Sequence, residues 1–237
     1  MVSKRPFLFE REDYFMVAIA IDGPASAGKS TVSRILSKKL GFLYLDTGAL
    51  YRAIAFYFVS KDLNYNDKDI LEKGLKNIDL KLEFRGQEQR MILCLEDITD
   101  NIRTNKMSSI ASDISSIDSV RKFLLDFQRD FAKKNNIIMD GRDIGTVVLP
   151  NAEIKIFLTA SLEARAKRRY LEYQNKGYKD SYEDILKSIR QRDYNDSHRK
   201  IAPLIPAKDA IILDTTEYTL DEVVDIIFDI VKKSVRA

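Results

Sequence analysis

The chain has 237 residues, 45% hydrophobic and 32% charged, which suits one large globular domain or a core carrying an insert and excludes a disordered or collagen-like chain. Its 39 basic and 36 acidic residues leave a net charge of +3, too small to point to nucleic acid as a partner. One cysteine, Cys94, and one histidine, His198, exclude an internal disulfide, a cysteine-rich zinc site and any two-histidine metal motif, so the chemistry must come from charge, glycine and hydroxyl groups.

The opening run MVSKRPFLFEREDYF, an N-terminal extension over 1–15, interrupts a short Phe-Leu-Phe patch with acids, unlike a secretory signal. No apolar stretch approaches the roughly 20 residues of a membrane span, so a cytoplasmic location with no membrane partner is expected. Met16–Asp22 is an apolar run ending at glycine, the pattern of a strand buried on both faces. A glycine-rich turn leads into Lys29–Leu40, where Val32, Ile35, Leu36 and Leu40 recur at helical spacing. Phe42–Leu45 reads as a second strand and Ala49–Val59 as a second helix.

Residues 62–106 break this rhythm. Leu80, Leu82 and Phe84 alternate with charged residues, an Arg-Gly-Gln-Glu turn follows, and Met91–Leu95 is apolar again, which predicts an inserted antiparallel hairpin and a candidate subdomain. Val120–Lys134 is an amphipathic helix, and Asn136–Asp140 and Ile154–Leu158 are buried strands. Leu162–Asn175 and Ser181–Asn195 are helical stretches crowded with arginine and acid, and Ala210–Leu213 and Leu220–Lys233 supply a last strand and helix. The alternation predicts an α/β fold, a doubly wound, mostly parallel sheet with right-handed crossovers.

Gly23, Pro24, Ala25, Ser26, Ala27, Gly28, Lys29 and Ser30 fit G-x-x-x-x-G-K-[ST] between a strand and a helix. Glycines there let backbone N–H groups converge on phosphate oxygens at the positive end of the following helix. Lys29 would bridge the β- and γ-phosphates and Ser30 would offer its hydroxyl to Mg²⁺. The alternative, an ordinary glycine turn with an exposed lysine, leaves the strand-loop-helix context unexplained. Asp140 closes the run NIIM, a place for an acid that holds the metal directly or through water, and equally a place for a turn or cap residue.

Several arginines stand where solvation explains them poorly. Arg52 lies one turn beyond the Asp46–Gly48 turn, and Arg142 sits in the loop Gly141–Gly145 at the carboxyl end of a strand, where α/β sheets bind ligands. Arg192, Asp196 and Arg199 would share a helical face if the helix runs that far, and Arg165, Arg168 and Arg169 form a second stripe suited to a lid over a triphosphate. Guanidinium groups grip phosphate with two parallel hydrogen bonds and stay charged when desolvated. Solvated, ion-paired helix faces are the alternative for both stripes.

The segments AIDGPASAGKST, YLDTGALYR, DGRDIGTVVLP, IKIFLTAS and RDYNDSHR followed by IAPL, in that order from about Met16 to Lys233, resemble the bacterial-type cytidylate kinases, a family of nucleoside monophosphate kinases. The likeness implies a P-loop kinase with a central parallel sheet flanked by helices, an arginine-rich lid and a small β-rich monophosphate-binding insert. The kinase core would then be 16–61, 107–160 and 200–237, the insert 62–106, and the lid with the acceptor-binding helices 161–199. It implies that Arg52, Arg142 and Arg199 grip the acceptor phosphate, that Arg192 and Asp196 contact the ribose, and that Ser112, Arg121 and Asp143 read cytosine, with Asp46 and Thr47 in the same CMP site. Donor contacts would come from residues 23–31 and Arg168, and Lys29, Arg142, Arg165 and Arg169 would serve the transferring group. Where many relatives have Lys-Gly-Thr this chain has Lys-Ser-Thr, so the hydroxyl nearest the metal is Ser30 or Thr31.

The cytosine assignment makes chemical sense independently, because a carboxylate accepts from the exocyclic amine and would face a carbonyl in uracil. The expected reaction is Mg²⁺-dependent transfer from ATP to CMP or dCMP. No general base is needed, since a phosphate monoester with a second pKa near 6 is already largely ionised. The expected partners are these nucleotides alone, with a monomeric chain and no nucleic acid. A P-loop kinase acting on UMP or AMP, or a non-enzymatic nucleotide-binding module, are the rival readings.

Overall fold

The computed structural model describes residues 16–236; the predicted extension over 1–15 lies outside them. Contacts divide the chain into two compact units, one up to Leu43 together with the chain from Asn135 onward, the other Tyr44–Lys134.

The first unit is built on parallel strands. They are β1 (Ala18–Asp22), β6 (Ile137–Gly141), β7 (Ile154–Thr159) and β8 (Ile211–Asp214), with β2 (Leu43–Asp46) entering at Leu43 to complete a five-stranded sheet in the order β2-β6-β1-β7-β8. β1 pairs in parallel with β6 and β7, bringing Asp22 level with Gly141 and Phe157, and β7 pairs in parallel with β8. The continuous apolar run of β1 is explained by complete burial of Ile19, Ala20 and Ile21. Helix α1 (Lys29–Leu40) lays Val32, Leu36 and Leu40 against Ile19, Ile21 and Ile156, and α8 (Leu220–Arg236) adds Val223, Val224, Ile227 and Val231 to the same core. Gly41 ends α1 at φ 75, the left-handed cap that glycine adopts without strain. Helices α6 (Leu162–Asn175) and α7 (Tyr182–His198) share a separate apolar cluster of Ala166, Tyr173, Ile185 and Ile189 with Ala25. Among the described residues no helix is long and apolar enough to cross a membrane.

The second unit contains α2 (Thr47–Ser60), α3 (Lys68–Asn77), α4 (Asn105–Ile114) and α5 (Asp118–Lys134) around the antiparallel sheet β3 (Leu80–Arg85), β4 (Glu88–Leu93) and β5 (Glu96–Asp97). It spans more of the chain than the 62–106 segment singled out by sequence. The hairpin turns at Gly86, with φ 65 and Arg85 paired to Glu88, as the Arg-Gly-Gln-Glu signal predicts. β4 stops two residues before the predicted end, because Cys94 and Leu95 take φ values of 50 and 73 and turn the chain into β5. Helix α3 goes unmarked in the sequence reading, although Asp67 caps it by accepting from the N–H groups of Asp69 and Ile70.

Candidate active site

The carboxyl ends of the parallel strands carry the chemistry. A Cβ at Gly23 would lie 1.9 Å from the Leu158 carbonyl oxygen and φ there is +149°, so glycine alone lets the chain leave β1 beside β7. The loop then enters α1 through Gly28 at φ 89. The buried Lys29 ammonium folds back to donate to the carbonyls of Gly23 (2.8 Å) and Pro24 (2.7 Å). Burial, reinforced by the positive Arg142 and Arg192, pushes its pKa well below the ordinary lysine value against the pull of Asp140 and Asp196. A triphosphate on the loop would reverse that balance and keep Lys29 charged.

The Ser30 hydroxyl donates to Asp140 Oδ2 at 2.8 Å, while Thr31 is exposed. Ser30 is therefore the hydroxyl that stands beside the strand-end acid. Two hard oxygen donors side by side suit Mg²⁺, which draws its remaining ligands from water and phosphate. Among the described residues no cluster of three or more His, Cys, Asp or Glu side chains forms a metal cage.

β6 ends at Gly141, and Arg142 and Asp143 follow before a π turn over Ile144–Val148, an irregularity often found at functional sites. That turn is fixed by Asp22, whose two carboxylate oxygens accept from the N–H groups of Ile144 (2.8 Å) and Gly145 (2.7 Å). Burial raises the Asp22 pKa from 3.8 to about 6; the two backbone hydrogen bonds oppose the shift and the Asp143 charge adds to it.

The loop and the end of α7 are cross-laced. Arg142 Nε donates to Asp196 Oδ2 at 2.7 Å, and Arg199 Nη2 donates to Asp143 Oδ1 at 3.2 Å. Burial alone would raise the Asp196 pKa, but Arg142 and Arg192 outweigh it and hold the carboxyl below its usual range. Arg192 and Asp196 lie on α7 as the spacing predicts. Arg199 does not share their helical face: α7 ends at His198, Arg199 is extended, and its Nε donates to the Ala202 carbonyl. Ala202 at φ 48 and Pro203 after it keep the chain from resuming helix beyond this break.

The expected lid arginines all have partners within the protein. Arg165 donates through Nε to the Ala160 carbonyl (2.9 Å) and through Nη1 to the Ala25 carbonyl (3.0 Å) and to Asp193. Arg168 donates to the Thr215 hydroxyl at 3.1 Å and to its carbonyl. Arg169 donates to the Tyr173 hydroxyl at 2.9 Å and lies over the Tyr173 ring.

In the second unit, Asp46 accepts from Ala49 N–H (3.0 Å), capping α2, and from Arg52 Nη2 (2.8 Å). Burial would raise the Asp46 pKa, but Arg52 outweighs it and keeps the carboxylate ionised. Thr47, the first residue of α2, is buried beside this pair. Gln89 of the hairpin holds the backbone of Asp46, accepting from its N–H at 2.8 Å and donating to its carbonyl at 3.4 Å. Ser112 and Arg121 meet through Ser115, whose hydroxyl donates to the Ser112 carbonyl (2.7 Å) and whose carbonyl accepts from Arg121 (3.2 Å). His198 is exposed, stacks on Tyr194, and its Nδ1 lies within hydrogen-bond distance of the Ser197 hydroxyl and the Tyr194 carbonyl.

The model of the family described as cytidylate kinase matches residues 19–233. The chain belongs to the cytidylate kinase family. A cytidylate kinase from Caldicellulosiruptor saccharolyticus is 48% identical over 217 residues, 92% of this chain and 96% of that protein. Cytidylate kinases from Ligilactobacillus salivarius and Bacillus licheniformis are 49% and 47% identical, covering 91% and 93% of this chain and 96% and 98% of theirs. A solved structure of an uncharacterized protein from Eubacterium ventriosum superposes with a TM-score of 0.50 at 12% identity, over 92% of this chain and 99% of that one, a likeness of fold alone.

Three residues of this cytidylate kinase family member escape sequence reasoning: Asp22, Asp193 and Gln89. Asp22 carries a signal, an acid closing an apolar strand just before the glycine loop. Asp193 stands next to Arg192 without a spacing of its own, and Gln89 lies in a polar turn where nothing marks it.

Proposed function

We propose that the enzyme transfers the γ-phosphoryl group of ATP to CMP or dCMP, giving the diphosphate. The observation that carries this reading is that two kinds of phosphate-binding group stand after neighbouring parallel strands: the glycine loop with buried Lys29 after β1, and after β6 Arg142 and Asp143, laced to Asp196 and Arg199. Lys29 would leave the Gly23 and Pro24 carbonyls for the β- and γ-phosphates, and the N–H groups of the glycine loop would hold the phosphate oxygens. Ser30 and Asp140 would hold Mg²⁺, which when bound neutralises phosphate charge. Arg142 and Arg199 would grip the acceptor phosphate, with Arg52 assigned the same task in the second unit. Arg192 and Asp196 would hold the ribose and Asp143 would read the base; in the second unit, Ser112 and Arg121 are assigned to base recognition.

No side chain need remove a proton, because the acceptor oxygen is largely ionised at neutral pH. What the residues supply is alignment of two anions that repel each other and stabilisation of spread charge, where one arginine can be worth about 10³–10⁵ in rate. We place the enzyme in the cytoplasm, acting on free nucleotides as a monomer. ADP release coupled to oxidation of a reporter, measured with CMP, dCMP, UMP, AMP or no acceptor, tests the reading. CMP and dCMP should dominate; equal rates with UMP would remove the role of Asp143, and release independent of acceptor would remove the kinase.

A further inference from the structure

Ala25, in the middle of the donor loop, has both its backbone polar groups held by side chains. Its N–H donates to Asp193 Oδ1 at 2.9 Å, and its carbonyl accepts from Arg165 Nη1 at 3.0 Å. The same guanidinium nitrogen donates to Asp193 Oδ2, closing a ring of three residues. Arg165 is 7% exposed and its Nε is fixed on the Ala160 carbonyl just past β7. Ala25 also packs in the apolar cluster that joins α6 to α7. An arginine with two nitrogens committed to three acceptors is not available to follow a moving phosphoryl group. Its geometry is that of a brace.

The second half of the argument is where Asp193 stands. It follows Arg192 on α7 and precedes by three residues Asp196, which holds Arg142. Asp193 is itself one of the acids whose charge favours protonated Arg142. A shift of the loop at Ala25 must break the brace or carry α7 with it, and the helix carries Asp196.

We propose that Asp193 and Arg165 are positioning residues that brace Ala25 for the donor triphosphate and tie it through α7 to the Arg142–Asp196 pair, so that donor and acceptor binding are linked. This rests on the kinase reading above. Reciprocity then requires that each nucleotide tighten the other by the same factor.

Calorimetric titration with a non-hydrolysable ATP analogue and with CMP, separately and together, tests it on the full chain, its Asp193→Ala and Asp193→Asn variants, and Arg165→Gln. Asp193→Ala should weaken analogue binding by about tenfold or more, the order of magnitude expected when charge-assisted hydrogen bonds holding the loop are lost. Asparagine keeps an acceptor for the Ala25 N–H while losing the charge pair, so Asp193→Asn should recover part of that affinity, and it carries the test if the alanine variant does not fold. The factor by which the analogue tightens CMP should fall toward one in all three variants, and a double variant, Asp193→Asn with Arg165→Gln, should bind the analogue little more weakly than Arg165→Gln alone.

Unchanged analogue affinity in a folded Asp193→Ala protein would overturn the brace. Weakened analogue binding with the linkage intact, or no linkage in the parent protein, would overturn the tie through α7. A fall in kcat with both affinities preserved would return Arg165 to the transferring group and overturn the proposal. Analogue binding needs no turnover, so failure of CMP-dependent ADP release would defeat the kinase reading while leaving the brace legible.

Discussion

Replacing Asp22 by asparagine tests whether the ends of β1 and β6 are tied through a buried carboxylate. Asp22 is 4% exposed, and its oxygens take the N–H groups of Ile144 and Gly145 at 2.8 and 2.7 Å. Burial lifts its pKa from 3.8 to about 6, so the folded protein binds this proton more tightly than the unfolded chain. The stabilisation linked to that proton is complete below about pH 4 and is lost as pH rises through about 6. A shift of about two units corresponds to about 3 kcal/mol. Asparagine carries no charge and also turns an amide N–H toward one of the two donors, a penalty of about 1–3 kcal/mol that does not vary with pH. Urea denaturation of parent and Asp22→Asn at steps between pH 4 and 8 singles out the group, because the titrations of residues not coupled to Asp22 cancel in the difference. The difference should move by about 3 kcal/mol in the variant's favour as pH rises. A difference flat with pH would refute the reasoning. Activity cannot serve as the readout, since the acceptor phosphate titrates near 6 as well.

Asp143→Ala should lose the preference for CMP over UMP more than it loses total turnover, measured by coupled ADP release; retained cytosine selectivity would mean that the base is read elsewhere. Lys29→Met should lower kcat by at least about a hundredfold while the protein stays folded, as expected when a preorganised charge aimed at the transferring group is lost; near-normal turnover would put the donor phosphates somewhere other than the Gly23–Ser30 loop. Gly23→Ala puts a Cβ 1.9 Å from a backbone oxygen of β7, which no rotamer can relieve, so it should lower the thermal midpoint sharply. A midpoint within a few degrees of the parent's would show that β1 and β7 are looser there than their pairing implies.

What was legible in the sequence was whatever repeats along one element. The helix Lys29–Leu40 is found over those same residues because its apolar positions recur toward one core and glycines bound it. The hairpin is visible because alternation and Gly86 agree. Its early end is not, since Cys94 and Leu95 take left-handed backbone without a glycine or asparagine to announce it. Helix α4 escapes as α3 does, for each is short, although Thr104 accepting from Met107 N–H was a readable cap. The site arginines are visible as types and clusters. Their partners are not, because a bond such as Asp193 to the Ala25 N–H joins a helix to a backbone group 168 residues away, and no period along the chain encodes it.

The net charge of +3 conceals how the site is assembled. Arg142 is held by Asp196, Arg199 by Asp143, Arg165 by Asp193 and Arg52 by Asp46, each pair mostly out of solvent. Burying arginines without counter-charge would be costly, and the Lys29 pKa is held low first by burial and then by the charges of Arg142 and Arg192. An incoming phosphate therefore competes with carboxylates already in place. It wins only where it can take over the guanidinium groups while the displaced acid finds a new donor. On the proposed reading, ribose hydroxyls would be such donors for Asp196, and the amine of cytosine for Asp143. Selectivity for base and sugar would then arise from the same acids that let the arginines be buried, since uracil would free the Arg199 partner and offer it no hydrogen in return.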